Sequence, residues 1–298
     1  MFIYKYQQLS NRISYSEMTK TNCNISKKIH LGQLKLLISE IMFLSKIAKK
    51  GNKVLYIGAA EGFHITKLSD MFPDLSFDLW DPRKFDLELR SNIKLFNKFF
   101  TDNDALQYIK EKDNLLLITD IRNIEIGKID NTTQKGNDKI DKFIIDDNNR
   151  QLNWIKTINP IYSFIKFRLP YGKGKTKYFN GKIYLQCYSG LTTETRLMTN
   201  KYDSFEEYDH TEFDEKLAYF NCFIRSKNDF DKWKQVFDKY KIKNNWDNNC
   251  AFYILHLYLD KVKNYKNIKD DDVAILFNNI IAFFNKKYGT KYNYVYVK

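Results

Sequence analysis

Only 4 prolines and 11 glycines interrupt the 298 residues, too few for a collagen-like or linker-like chain. Cysteine is as sparse: Cys23, Cys187, Cys222 and Cys250 form no C-x-x-C pair, and His30, His64, His210 and His256 are dispersed among them. Such spacing predicts neither a metal site nor a disulfide framework, and fits a reducing, intracellular setting. Long apolar runs are missing too. Stretches such as 115–118 and 274–277 fall far short of the roughly 20 residues that cross a bilayer. The first ten residues carry Lys5 and no apolar core of a secretory signal, so no membrane association is expected.

What is present is bulk and positive charge. An apolar share of 43%, with 23 Phe and 21 Tyr, supplies a sizeable core and excludes global disorder. Lys and Arg number 49 against 36 Asp and Glu, a formal net charge of +13. That surplus points to a polyanionic partner. The abundance of Lys, Asn and Ile also fits an AT-rich genome, and charge alone does not decide between the two.

The pattern along the chain alternates. Residues 1–28 are polar and weakly periodic and read as an N-terminal arm. From Gly32 to Lys50 apolar residues recur at helical spacing, and Gly51 ends the run. Short apolar strands are predicted at 54–57, 75–80, 93–96 and 115–119, with helices over 64–71 and around 105–109. Strands separated by helices imply crossover connections and a parallel sheet buried on both faces. A polar stretch at 123–138 precedes a helix through 143–158, strands at 162–169, 182–188 and 195–199, and helices at 213–224, 230–240, 251–262 and 273–284. The reading is one α/β domain over 29–298, mostly parallel in its sheet, flanked by helices, with helical additions from about 204.

Two features place chemistry at one edge of that sheet. Val54-Leu-Tyr-Ile-Gly-Ala-Ala-Glu-Gly62 is a strand running through a G-x-x-x-G turn into a helix, at the carboxyl edge where open parallel sheets bind ligands. It is neither the dinucleotide fingerprint nor a P-loop. The next strand ends in Trp80-Asp-Pro-Arg83, which sets Asp81 beside the turn as an acceptor for a ribose diol. Asp81 would also serve as a helix N-cap before Pro82. The pattern is that of class I AdoMet-dependent methyltransferases, with NAD as the other ligand it allows.

Four charged residues interrupt or end apolar elements: Lys35 in the first helix, Asp120 after the strand 115–119, Lys166 inside the strand 162–169, and Glu194 before the strand 195–199. Buried charge is costly unless paired. Each residue alone reads as a snorkelling or capping group; two cations and two anions around one edge read as a set.

With those residues in view, the chain resembles the poxvirus cap-specific mRNA 2′-O-methyltransferases, which double as the small regulatory subunit of the viral poly(A) polymerase. The resemblance runs on Gly32-Gln-Leu-Lys-Leu-Leu37, the glycine turn through His64, Asp81-Pro-Arg83, Ile118-Thr-Asp-Ile-Arg122, Lys166-Phe-Arg168 with Pro170-Tyr171, Glu194-Thr-Arg-Leu197 and Asp214–Asn221. It implies a Rossmann-like methyltransferase fold and AdoMet as cofactor. It places the catalytic Lys-Asp-Lys-Glu tetrad on Lys35, Asp120, Lys166 and Glu194. Cofactor contacts fall on Gln33, Tyr56, Gly58, Gly62, Asp81, Arg83, Phe100 and Arg122. Cap contacts fall on Tyr15 and Tyr171, which stack on the methylated guanine, and on Asp214, which reads its edge.

Three positions depart from the family pattern. Glu61 stands for a proline in the glycine turn, Lys173 for a second cap-reading carboxylate, and Leu191 for an aromatic residue, with Tyr188 as the candidate substitute. Lys173, Lys175 and Lys177 form a candidate rim for RNA phosphates beside Tyr171. The implied partners are capped mRNA, through its m7G cap and RNA backbone, and the catalytic subunit of a viral poly(A) polymerase. The implied location is the host cytoplasm, with packaging in the virion.

The chemistry assigns roles. Methyl transfer to a ribose hydroxyl needs the oxygen aligned with the methyl carbon and its proton removed. Lys166 is expected to be the base, with Lys35 acting on it by like-charge repulsion and Asp120 and Glu194 orienting the lysines. The alternative is a non-catalytic RNA-binding subunit that stimulates a poly(A) polymerase.

Overall fold

The computed structural model describes residues 2, 4–20, 31–123, 129–130, 133–228 and 230–297. In chain order its regular elements are α1 (Tyr15–Lys20), α2 (Gly32–Ile47), β1 (Lys53–Ile57), α3 (Phe63–Met71), β2 (Ser76–Trp80), β3 (Ile93–Phe96), α4 (Asp102–Gln107), β4 (Leu115–Thr119) and α5 (Gln134–Ile158). There follow β5 (Tyr162–Phe167), β6 (Lys175–Phe179), β7 (Lys182–Tyr184), β8 (Thr195–Thr199), β9 (Phe205–Asp209), α6 (His210–Tyr219), α7 (Lys234–Tyr240), α8 (Trp246–Lys261) and α9 (Asp270–Tyr288). They form two compact units. The first comprises Met1–Ser14, Lys49–Leu185 and Thr193–Leu217; the second comprises Tyr15–Ala48, Gln186–Thr192 and Ala218–Lys298.

The first unit holds a seven-stranded sheet in the order β3-β2-β1-β4-β5-β8-β7. Strands β1 to β5 run parallel, and β8 is antiparallel to β5 and β7. Every residue of β4 is buried, which is why the sequence shows a continuous apolar run there and no alternation. The strand order reverses between β1 and β4, and a crevice at their carboxyl ends is the ligand position of such sheets. Gly58 follows β1 with φ +84°, and a Cβ there would lie 2.8 Å from the Asp120 main chain. Only glycine lets the two strand ends converge so closely.

Several elements differ from the sequence expectation. Helix α5 starts at Gln134, nine residues earlier than the apolar pattern suggests, because Thr133 caps it by accepting from Gly136 N at 3.1 Å and its first turns are mostly solvated. Strand β7 is short because its pairing with β8 stops at Tyr184 opposite Arg196, next to the start of β8; the chain then turns, with Tyr188 at φ +61°. The antiparallel pair β6–β9 was not expected, since its charged, exposed positions hide the alternation; Lys175 pairs with Glu207 at 3.7 Å across it. Within the arm, Lys5 bridges Tyr184, Leu185 N donates to Tyr4 O at 3.0 Å, and Gln7 bonds Ile183 N and Gly181 O. The free edge of β7 is thereby covered.

The second unit is helical. Helix α2 packs along α8, and α8 along α9. Leu34, Leu37, Ile38 and Ile41 are fully buried on α2, the face its spacing predicts. Phe252 on α8 meets Phe237 at 4.6 Å and Phe277 at 5.3 Å between ring centroids. Arg225 pairs with Asp247 at 2.7 Å and bonds Ser189 Oγ at 3.0 Å, which ties the segment Gln186–Thr192 to α8. Cys187 and Cys250 are buried free thiols. Among the described residues no helix is long and apolar enough to cross a membrane.

Candidate active site

Strand register builds the charged centre. Lys166 on β5 lies directly opposite Arg196 on β8, so both side chains leave the same face. Thr119 on β4 pairs with Ile165, which places Asp120 one residue beyond the sheet end. Lys166 Nζ is 2.9 Å from Asp120 Oδ1 and 3.2 Å from Glu194 Oε2. Arg196 Nη2 approaches the same Asp120 oxygen at 3.2 Å, and Arg196 Nη1 donates to Thr119 O at 3.0 Å. From α5, Gln151 accepts from Thr119 Oγ1 at 2.6 Å and donates to Lys166 O at 3.2 Å. Three of the four expected catalytic residues therefore meet in the first unit. Lys35 and Gln33 belong to the second unit, on α2, where Lys35 is buried.

Arg196 has no counterpart among the expected site residues, although it is 2% exposed and shares Asp120 with Lys166. The signal was an arginine in the middle of a strand whose five residues are all buried. Removing one partner of a buried ion pair leaves an uncompensated charge. Arg196→Ala is expected to lower the unfolding free energy by about 3 kcal/mol, read by denaturant titration. A loss below about 1 kcal/mol, the range of exposed pairs, would show that Arg196 does not hold Asp120.

A cleft at this centre is lined by Arg122, Asp147, Gln151, Lys166, Arg168 and Glu194. Asp147 was also unforeseen. Helical spacing sets it on the buried face of α5 with Ile140, Ile144 and Gln151. Its carboxylate accepts from Asn123 N at 3.2 Å and from the Asn123 side chain. Burial raises its carboxyl above the usual carboxylate range, with Asn123, Lys166 and Arg150 pulling the other way.

The crevice beside β1 carries the second group of expected residues. Asp81, 3% exposed, ends β2. Its Oδ2 accepts from Ala60 N at 2.8 Å and Arg83 Nη2 at 3.1 Å; its Oδ1 accepts from Arg83 N at 2.9 Å and Arg83 Nε at 3.0 Å. The Arg83 side chain is 64% exposed, so a ribose diol can take the positions of its two guanidinium bonds. Gly62 enters α3 at φ +69° and leaves the turn without side chains at both glycines. These residues fit a nucleoside ligand. Tyr56 is fully buried within β1, edge-on to His64. Phe100 is buried edge-to-face on Trp80 and Trp154, and Arg122 is exposed on the loop after Asp120.

A third group surrounds Tyr171, which is 45% exposed. The Arg168 guanidinium lies 4.7 Å over its ring and donates to its hydroxyl. Asp141 on α5 accepts from Tyr171 N at 2.7 Å and Gly172 N at 2.8 Å. His210 Nδ1 bonds Gly172 O at 2.7 Å, and one turn later on α6 stands Asp214. Burial pushes the Asp214 carboxyl up to about 6; Arg168 and His210 oppose the rise, and Asp141 and Glu215 add to it. Lys173, Lys175 and Lys177 are exposed nearby. Tyr15 lies in α1 of the second unit. Tyr188 does not replace the aromatic residue missing at Leu191: its ring is buried and its hydroxyl donates to Asn248 Oδ1 at 2.9 Å. Among the described residues no three His, Cys, Asp or Glu come together as metal ligands.

A parallel sheet that reverses at β1 and β4, a glycine crevice and a buried carboxylate at the end of β2 define a Rossmann-like methyltransferase fold. The chain belongs to the Poly A polymerase regulatory subunit family, whose model matches residues 2–286. It is 28% identical over 262 residues to the cap-specific mRNA (nucleoside-2′-O-)-methyltransferase of Myxoma virus (strain Lausanne), covering 80% of this chain and 74% of that protein. The Fowlpox virus (strain NVSL) protein of the same name is 28% identical over 233 residues, 70% of this chain and 72% of its own length. The resemblance read from the sequence is thus borne out.

Proposed function

We propose that the chain transfers a methyl group from AdoMet to the ribose 2′-hydroxyl of the first transcribed nucleotide of capped mRNA. The observation that carries this reading is the Lys166 amine, held between Asp120 and Glu194 at the cleft. AdoMet, when bound, supplies an electrophilic methyl group on a sulfonium. Lys166 in its neutral form takes the hydroxyl proton as the oxygen–carbon bond forms and the sulfur–carbon bond breaks. Asp120 and Glu194 fix the amine, and Arg196 and Gln151 fix Asp120 and the ends of β4 and β5. Asp81 accepts the cofactor's ribose diol, and Gly58 and Gly62 let the main chain approach it. Tyr56, Phe100, Arg83 and Arg122 complete that pocket. Lys35, Gln33 and Tyr15 keep the roles the family resemblance gives them.

Tyr171 stacks on the methylated guanine and Asp214 accepts from its edge. Lysines of the surface neutralise phosphates along the RNA body without reading sequence. The family description supports a second partner, the catalytic subunit of a viral poly(A) polymerase, and the viral relatives support action in the host cytoplasm. Lys173 and Leu191, where a carboxylate and an aromatic residue are expected, favour the competing reading of a non-catalytic RNA-binding subunit. Incubation with labelled AdoMet and RNAs that differ only at the cap separates the two. Transfer to capped RNA supports the enzyme, and RNA binding without transfer supports the subunit.

Asp214 gives cap binding a pH dependence. A cationic base is attracted by the ionised carboxylate only, and Asp214 is ionised above about 6. Affinity for m7GTP is therefore expected to fall by up to about tenfold per unit as pH drops through that value. The charged neighbours Arg168, Asp141, His210 and Glu215 set the midpoint. Asp214→Asn should flatten the profile; an unchanged profile in that variant would remove Asp214 from the cap site.

A further inference from the structure

We propose that Asp141 determines specificity at the cap site: together with Asp214 it gives the environment of Tyr171 the negative charge that selects a flat cationic base over its neutral counterpart. The inference rests on the reading of Tyr171 and Asp214 as cap-binding residues. Lys173 occupies the loop position at which a second carboxylate is expected, so that charge has to come from elsewhere in the fold. Helix α5 provides it. Asp141 grips the turn after Pro170 with both oxygens, one on Tyr171 N and one on Gly172 N. It thereby fixes the main chain that carries the stacking ring, and it brings a full negative charge to that ring's base.

The ligand class follows from what already sits there. Arg168 lays a planar, delocalised cation 4.7 Å over the Tyr171 ring and bonds its hydroxyl, while the same guanidinium acts on Asp214. A 7-methylguanine is also flat, delocalised and positively charged, and can replace the guanidinium on the ring. An unmethylated guanine has the shape without the charge. The two carboxylates therefore contribute little to its binding, and the discrimination is a difference of two affinities. Asp141 is also close enough to Asp214 to push its carboxyl up, which gives the pair a signature separate from affinity.

The test is calorimetric titration of the full-length chain with m7GTP and with GTP, for the wild type, Asp141→Asn and Asp141→Glu, with AdoMet binding as the check on folding. The wild type is expected to prefer m7GTP. Asp141→Asn should lose on the order of tenfold more in m7GTP affinity than in GTP affinity, since one nearby charge is removed; the loss shared by both nucleotides reports the one main-chain bond that the amide cannot accept. Asp141→Glu should keep the preference. In Asp141→Asn the midpoint of the pH dependence should also move below about 6. Equal losses for both nucleotides, with the midpoint unmoved, would show that Asp141 only holds the loop and would overturn the proposal. A wild type that does not distinguish the two nucleotides would instead overturn the cap-binding reading itself, and the role of Asp141 with it.

Discussion

Lys166→Met should reduce methyl transfer by roughly a hundred- to ten-thousandfold, the contribution of a positioned general base. The side chain keeps its length and loses its proton acceptor, so the effect should fall on the rate of a saturated enzyme more than on its apparent affinity for RNA. Geometry is the reason for so large a loss. The amine is held on two sides, at 2.9 Å by Asp120 and 3.2 Å by Glu194, and Asp120 is in turn shared with Arg196. AdoMet binding should survive, because the glycine turn and Asp81 lie at the ends of β1 and β2, which β4 separates from β5. Single-turnover transfer to m7GpppA-capped RNA at saturating AdoMet reads the effect, and a rate within a few-fold of wild type would take the proton from some other group.

Asp81→Ala should weaken AdoMet binding by about ten- to a hundredfold, because hydrogen bonds to an ionised group contribute roughly 1.5–3 kcal/mol each. The buried carboxylate is fully engaged in the free protein, by Ala60 N and by Arg83. A diol gains only the difference between its own bonds and those it displaces from Arg83, which is why the lower end of that range is included. Calorimetric titration with AdoMet checks it. Unchanged affinity would move the ribose to a different part of the crevice and leave Asp81 as a cap for the turn at Arg83.

The parallel sheet was legible because buried strands such as β4 need continuous apolar runs, and because glycine is obligatory where Gly58 meets Asp120. Asp81, Asp120, Lys166 and Glu194 were legible for a related reason: a charge inside or beside an apolar run demands a partner. Arg196 meets the same criterion, but its role is set by the cross-strand register with Lys166, which the sequence does not show. Asp147 and Asp141 were hidden for another reason. Asp141 lies before the expected helix start at 143, and the partners of both, Asn123 and the Tyr171–Gly172 turn, are distant in sequence. The β6–β9 pair was invisible because its outward residues are charged at nearly every exposed position. Tyr188 shows the converse error: an aromatic residue at a plausible spacing turned out to serve the core.

Where the methyl group goes separates the enzyme from the non-catalytic subunit. Labelled AdoMet, m7GpppA-capped RNA and the wild-type chain, followed by nuclease digestion of the product, answer that in one measurement. The expected result is label confined to the 2′-O-methyl group of the first transcribed nucleotide, and none in the Lys166→Met reaction. Label on the base or on internal nucleotides, or tight RNA binding with no label at all, would contradict it.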